Sequence, residues 1–523
     1  FISQIQCTGP IQSQDSMNPR LIAFLLPQFH PNPENDEWWG TGFTDWTNVA
    51  KARPRFIGHY QPHIPADLGF YDLRTEEAQV AQAALAKEYG IHGFCYHHYW
   101  FAGKRLLSRP LENLLSAGKP DFPFCLCWAN EDWTRAWDGR SDTLLIKQEY
   151  SQADDVAHMQ WLSKVFQDRR YIRINNKPVF LVYRARQLPS PKNTADLWRD
   201  TARKQGVGDI FLCHVESFAN EHGDPQEIGF DAAVEFQPDW CNLGEPIAEI
   251  ESTRHRIYDY ADFVERQIRK PKAPYLRFPG VTPGWDNSAR RPVGALTMAY
   301  SLPAAYGKWL AHVASGLSTW EPQRRVIFIN AWNEWAEGNH LEPDLRFQRA
   351  YLTATKDALS GATALQGNVD PDSARHSLPP PQIIEGNGNL PSPVSVKLAE
   401  LAACSAQLCK LQQEWNHRQG HDIAPRLLHD FSSALDHIIH IANDAEQQAK
   451  RFYAETSLND QLISKEQLIH HQQETLNTLR GQVVSLENEL AKLLDSYSWR
   501  ITQPLREVRS ALEQLVSSIG RKH

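Results

Sequence analysis

The chain reads as an α/β protein: a (β/α)8 barrel of the TIM type, then a linker and an α-helical, partly coiled-coil tail. Three observations predict this. Short apolar runs alternate with longer amphipathic stretches from about Arg20 to Leu359, the pattern of a parallel sheet with crossover helices. There are eight such runs, the number that closes a barrel. Beyond Ser377–Val394 (SLPPPQIIEGNGNLPSPV) the composition changes to helix formers with a seven-residue apolar repeat.

Residues 1–19 read as an unstructured lead. They are polar and lack the apolar core of a signal peptide. Residues 20–360 carry the eight expected strands: Leu21–Leu26, Ile91–Tyr96, Phe122–Trp128, Pro178–Tyr183, Ile210–Val215, Ala232–Phe236, Tyr275–Phe278 and Val326–Trp332. Helix signals lie between several of them. Thr75–Tyr89 is Ala-rich with acidic residues in its first turn, and Ala195–Lys204 is amphipathic. No GxGxxG follows the first strand and no P-loop occurs, which weakens a nucleotide-binding doubly wound sheet. Residues 361–398 form the Pro/Gly-rich linker, and 399–523 the helical tail. Within it Leu462, Ile469, Leu476, Val483 and Leu490 recur every seven residues, with Leu479, Leu486 and Leu493 at the complementary position. This 462–493 coiled coil serves self-association or partner binding, or folds back on Leu398–Gln447.

A formal charge of -8 excludes a generally basic face for nucleic acid. No apolar run reaches the roughly 18 residues of a membrane span. The eight cysteines are scattered without paired CxxC modules, so free thiols in a reducing compartment are expected. These points give a cytoplasmic expectation, extending to the inner face of the inner membrane. The 17 tryptophans point toward carbohydrate, because indole faces stack on the apolar faces of sugar rings.

Barrel chemistry sits at the carboxyl ends of the strands. There the sequence places Gln28 and His30, then His97, His98, Tyr99 and Trp100, then Trp128, Asn130 and Glu131. Gln237 follows the sixth strand, Trp285 and Asp286 the seventh, and Asn333, Glu334, Trp335 and Glu337 the eighth. Glycosidic-bond chemistry needs two carboxyl groups. Glu334 and Glu337, three residues apart after the last strand, are the candidate catalytic pair, and Glu131 is the alternative partner for either. The other strand-end residues are candidates for substrate binding. Successive strand residues point to opposite faces, so His97 and His98 do not suit one metal ion. Neither a metal nor a cofactor is expected.

The blocks LLPQFHPNPENDEWWGTGFTDWTNVAKA, GHYQPHIPADLGFYDLR, YGIHGFCYHHYWFAGKRLL, PDFPFCLCWANEDWTRAWDG, PGWDNSARRP and FINAWNEWAEGNHLEPD resemble the WbsX-type family. Its members are described as bacterial glycosyltransferases or lipopolysaccharide-biosynthesis proteins. The resemblance covers about Arg20 to Tyr351. The segment Tyr497–Arg506 resembles one that recurs in multi-module bacterial glycosyltransferases. The barrel is more distantly similar to the endo-α-mannosidase family of glycoside hydrolases, through its Glu-Trp-x-Glu motif. That similarity implies that Glu334 acts as base on the sugar's own 2-hydroxyl and Glu337 as acid, then base. The expected activity is therefore retaining glycosidase or transglycosidase chemistry on an oligosaccharide or polysaccharide of bacterial surface (lipopolysaccharide, O-antigen) biosynthesis. One alternative is a nucleotide-sugar-dependent transferase, for which Arg135, Arg140, Arg184, Arg290 and Arg291 are the available cations. The other is a non-catalytic carbohydrate-binding scaffold.

Overall fold

A computed structural model describes residues 18–56, 58–135 and 140–360. The expected linker and coiled-coil tail lie outside the described residues, as do the lead up to residue 17 and the side chains of Arg135 and Arg140. The chain divides into two units, 1–53 with 61–368 and 54–60 with 369–523. In the described part of the second unit, Phe56 stacks on His59.

Nine parallel segments form the main sheet: β1 Arg20–Leu25, β2 Ile91–Phe101, β3 Phe124–Trp128, β4 Lys177–Val182, β5 Phe211–Glu216, β6 Ala232–Glu235, β7 Arg277–Phe278, β8 Gly280–Val281 and β9 Val326–Ile329. Their order is β7-β6-β5-β4-β3-β2-β1-β9-β8. Only Pro279 separates β7 from β8, so the two ends of this order are contiguous in the chain and the sheet nearly closes into a barrel. The seventh expected strand, Tyr275–Phe278, is realised only at Arg277–Phe278, and the chain pairs again beyond Pro279: proline has no N–H for the ladder, yet its carbonyl accepts Phe328 N–H at 2.9 Å. Glycine is required next, because a Cβ at Gly280 would stand 2.1 Å from the Glu235 carbonyl oxygen. β2 runs five residues past its expected end. Ala102 and Gly103, both at positive φ, turn it into a hairpin with Lys104–Leu106.

Among the described residues the helices are α1 Pro33–Trp39, α2 Asp45–Lys51, α3 Glu76–Glu88, α4 Arg109–Ala117, α5 Gln152–Phe166, α6 Pro191–Lys204, α7 Tyr260–Ile268, α8 Pro303–Gly316 and α9 Ala350–Leu359. Thr75 caps α3 by accepting Ala78 N–H, with Glu76 and Glu77 favourable at the positive helix end. Proline at the first position starts α6 four residues ahead of the apolar periodicity.

Inside the barrel, Phe24 meets His97, Phe236 and Phe328 at 5.4–5.7 Å between ring centroids. Each buried ring contributes about 2–3 kcal/mol of transfer free energy. Cys95, Cys125, Cys127 and Cys213 are buried free thiols, and Cys241 is an exposed one.

Candidate active site

The strand ends set the site. After β9 the chain forms a small antiparallel hairpin, Asn333–Glu334 with Asn339–His340, linked by a short 3-10 turn at Trp335–Glu337. Asn333 anchors it. Its Oδ1 accepts Leu26 N–H at 2.7 Å, and its Nδ2 donates to Leu26 O at 3.0 Å and Tyr71 Oη at 3.1 Å. The turn closes through Gly338 at φ +56°, where a Cβ would meet Asp286 Cβ at 2.8 Å. Asp286 N–H donates to Glu337 O at 2.6 Å, which ties the loop after β8 to the same turn.

One guanidinium organises the carboxylates. Arg290 Nη2 lies 2.8 Å from Asp45 Oδ2 and 2.9 Å from Glu334 Oε2, while Nη1 lies 2.7 Å from Glu337 Oε1. Asp45 comes from the first turn of α2, and its N–H donates to Gln28 O. Three carboxylates therefore face one buried cation, and full ionisation would leave a net negative charge with little water to screen it. Burial pushes Glu337 up to about 7, with Arg290 opposing and Glu334 adding to the rise. Burial also raises Glu334, against Arg290. The Glu337 side chain is 21% exposed, against 9% for Glu334 and 0% for Asp45. Glu337 is thus the member of the cluster open at the mouth.

A second buried carboxyl supports the turn. Glu342 accepts from Trp335 Nε1 at 2.6 Å, Gln82 Nε2 at 2.7 Å and Tyr71 Oη at 2.8 Å. Burial pushes it up to about 7. Trp335, between the two glutamates in sequence, is itself buried and stacks on His340 at 3.7 Å.

Strand parity divides the candidates of β2 and β3. His97 stacks on Phe24 inside the barrel. Tyr99 lies near Glu334 and Asp45, and burial together with Glu334 holds its hydroxyl well above the usual phenol range. His98 and Trp100 point the other way, onto α5: His98 Nε2 meets His158 Nε2 at 2.9 Å and Trp100 Nε1 donates to Asp154. Burial pushes His98 down to about 3. Trp128 lies on that outer face too, against His158 and Trp198.

Asn130 pins Arg184 by both its backbone N–H and its carbonyl. Glu131 pairs with Arg184 at 2.8 Å, and Arg184 also meets Glu221. His30 Nδ1 is 2.9 Å from Pro27 O. Gln237 Oε1 accepts Asp239 N–H. Asp286 accepts from Gln61 Nε2 at 2.7 Å and Thr297 Oγ1 at 2.9 Å. Gln28 Nε2, His97 Nδ1 and Trp285 Nε1 are buried without a protein hydrogen-bond partner.

The structure thus brings Glu334, Glu337, Asp286 and Tyr99 together. It directs His98, Trp100 and Trp128 toward the helices. Sequence reasoning missed Asp45, Tyr71 and Glu342. No local spacing links Asp45 to Arg290 across 245 residues. Glu342 stands in the mostly polar stretch Gly-Asn-His-Leu-Glu-Pro-Asp directly after the Glu-Trp-x-Glu turn, where no local pattern sets it apart.

The fold and site define a parallel α/β barrel with a buried carboxylate cluster at its mouth, an architecture suited to carbohydrate-active enzymes. The chain belongs to the family described as Glycosyltransferase WbsX, whose model matches residues 21–355. It is 44% identical over 370 residues to "Uncharacterized protein WxcX" from two strains of Xanthomonas campestris pv. campestris, covering 69% of this chain and 52% of each relative. The chain therefore spans about half the length of the curated relatives it matches. Among solved structures it is similar to a "Glycoside hydrolase-like protein" (TM-score 0.44, 13% identity, 68% of this chain and 97% of that one). It is likewise similar to a GH99 endo-alpha-mannosidase from Bacteroides thetaiotaomicron (TM-score 0.44, 16% identity, 66% and 97%).

Proposed function

We propose that residues 20–360 form a catalytic (β/α)8 domain that makes or cleaves glycosidic bonds with Glu334 and Glu337. The observation that carries this reading is the Arg290 cluster. Burial in this cluster, with Glu334 adding to the rise and Arg290 opposing it, brings Glu337 to about 7, so that it carries a proton up to neutral pH as a general acid requires, and that carboxyl is the one open to the mouth. Burial raises Glu334 as well, and the guanidinium paired with it opposes that rise, working toward the ionised form that a base requires.

The Glu-Trp-x-Glu motif suggests the route. Glu334 takes the proton of the sugar's 2-hydroxyl, whose oxygen attacks the anomeric carbon, while Glu337 gives its proton to the departing glycosidic oxygen. Glu337 then takes a proton from water or an acceptor hydroxyl, which opens the strained ring, and Glu334 returns its proton to the 2-oxygen. Two inversions retain configuration. His97 Nδ1, Gln28 Nε2 and Trp285 Nε1, buried without protein partners, supply hydrogen-bonding capacity for sugar hydroxyls. The biological setting, assembly of bacterial surface polysaccharide, rests on the family.

The pH–rate profile tests the roles. kcat/KM should fall above about pH 7, tenfold per pH unit, as Glu337 ionises. Glu337→Gln should abolish activity on substrates whose leaving group needs protonation. It should spare the first bond cleavage of an activated aryl glycoside. Equal loss on both substrates would remove Glu337 as the acid.

The family description favours a second reading, transfer from a nucleotide sugar. Two of its candidate cations are already engaged: Arg184 with Glu131 and Glu221, and Arg290 with the cluster. Diphosphate binding that survives Arg184→Ala would have to use other cations.

A further inference from the structure

Behind the catalytic turn lies a second constellation. Residues 63–66 run alongside 343–345: Ala66 N–H donates to Pro343 O and Leu345 N–H to Ile64 O, each at 2.9 Å, and Pro65 bridges to Asp344. This pairing sets His63 opposite His340 and Asp344. All three are buried, and one ligand atom from each lies within 4.8 Å of the others. His63 Nδ1 is 2.8 Å from His340 Nε2, which is 3.8 Å from Asp344 Oδ2. Ligands at 2.0–2.1 Å around a tetrahedral ion stand about 3.4 Å apart, and the two observed separations bracket that value.

The surroundings prepare His340 for coordination. Its Nδ1 lies 2.8 Å from Glu342 O, a contact that only Nδ1–H can make as a donor. This fixes the tautomer with a lone pair on Nε2, in the manner of second-shell carbonyls at metal sites. Asp344 Oδ1 accepts Phe347 N–H at 2.5 Å, and its Oδ2 lies 3.8 Å from His340 Nε2. A second group, His222, Asp239 and Cys241, is poorer. Its aspartate already pairs with Lys270 at 2.5 Å, and its cysteine is exposed.

We propose that His63 Nδ1, His340 Nε2 and Asp344 Oδ2 bind a divalent first-row cation, with zinc the best match to two imidazoles and a carboxylate. The ion is structural. His340 stacks on Trp335, the residue between Glu334 and Glu337, so coordination would lock the turn that carries both carboxylates. Metal binding is measured directly and does not depend on the catalytic roles given above.

The full chain is stripped with chelator, incubated with zinc, desalted, and its bound zinc measured by mass spectrometry. One zinc per chain is expected. His340→Gln and Asp344→Asn should each weaken binding by about 100-fold or more, beyond the effect typical of outer-shell partners. Wild-type protein loaded with cobalt should give the intense visible absorption of a four-coordinate site, a readout that needs no variant. Two results would overturn the proposal. One is a wild-type chain that retains no zinc and shows no such absorption, so that the histidines only hydrogen-bond each other. The other is equal retention by wild type and both folded variants, which would put the ion elsewhere.

Discussion

Glu342→Gln isolates one buried carboxyl from the chemistry. Glu342 is buried, and its three hydrogen bonds come from neutral donors, Trp335, Gln82 and Tyr71. No charge repays its desolvation, so its pKa rises from the ordinary 4.5 to about 7. At 1.36 kcal/mol per pH unit the difference corresponds to about 3 kcal/mol. A raised folded-state pKa means that the folded protein holds the proton more tightly than the unfolded chain. The stability this confers is fully present below about pH 4.5 and is lost as pH rises through about 7. A glutamine can keep one oxygen toward Trp335 and Tyr71 and turn its amide toward a flipped Gln82. The variant should therefore match wild type near pH 4.5 and exceed it by about 3 kcal/mol above pH 7.5. Denaturant unfolding of both proteins across pH 4.5–8 measures the difference. A difference that stays constant with pH, or favours wild type at high pH, would refute the reasoning.

Other perturbations separate chemistry from support. Arg290→Met leaves Asp45, Glu334 and Glu337 without their shared cation and should cost about 3–5 kcal/mol. Arg290→Lys should recover part of that stability and little activity, because one ammonium cannot span three carboxylates. Asn333→Ala strips both backbone groups of Leu26 of their partner, a loss of about 2–3 kcal/mol in thermal unfolding. His98→Ala removes a ring packed between β2 and α5. It should lower stability by about 2–4 kcal/mol with kcat of the folded fraction changed less than about twofold, whereas His97→Ala should raise KM.

The barrel was legible because its strands are apolar runs on a chain of ordinary loops, and because polar residues collect after each one. Glu334 and Glu337 stood out for the same reason, next to the apolar run of β9. Parity was harder to read. His97, His98, Tyr99 and Trp100 are consecutive, and only the register of β2 between its neighbours decides which pair faces inward. The seventh strand shows a further limit. Its two halves pair with different neighbours across Pro279, a partition that no local pattern encodes. Asp45 and Arg290 meet only after closure brings the loops following β1 and β8 together. Arg290 was visible as a cation for phosphate, but its three carboxylate partners were not.

Glu334 and Glu337 are proposed to make or break glycosidic bonds. The most direct test incubates wild type and Glu337→Gln with a panel of bacterial oligosaccharides, with and without a nucleotide-sugar mixture, and reads the products by mass spectrometry. Shortened or rearranged chains from wild type alone, without nucleotide sugar, are the predicted result. Chains that lengthen only when nucleotide sugar is present, equally with wild type and Glu337→Gln, would contradict it.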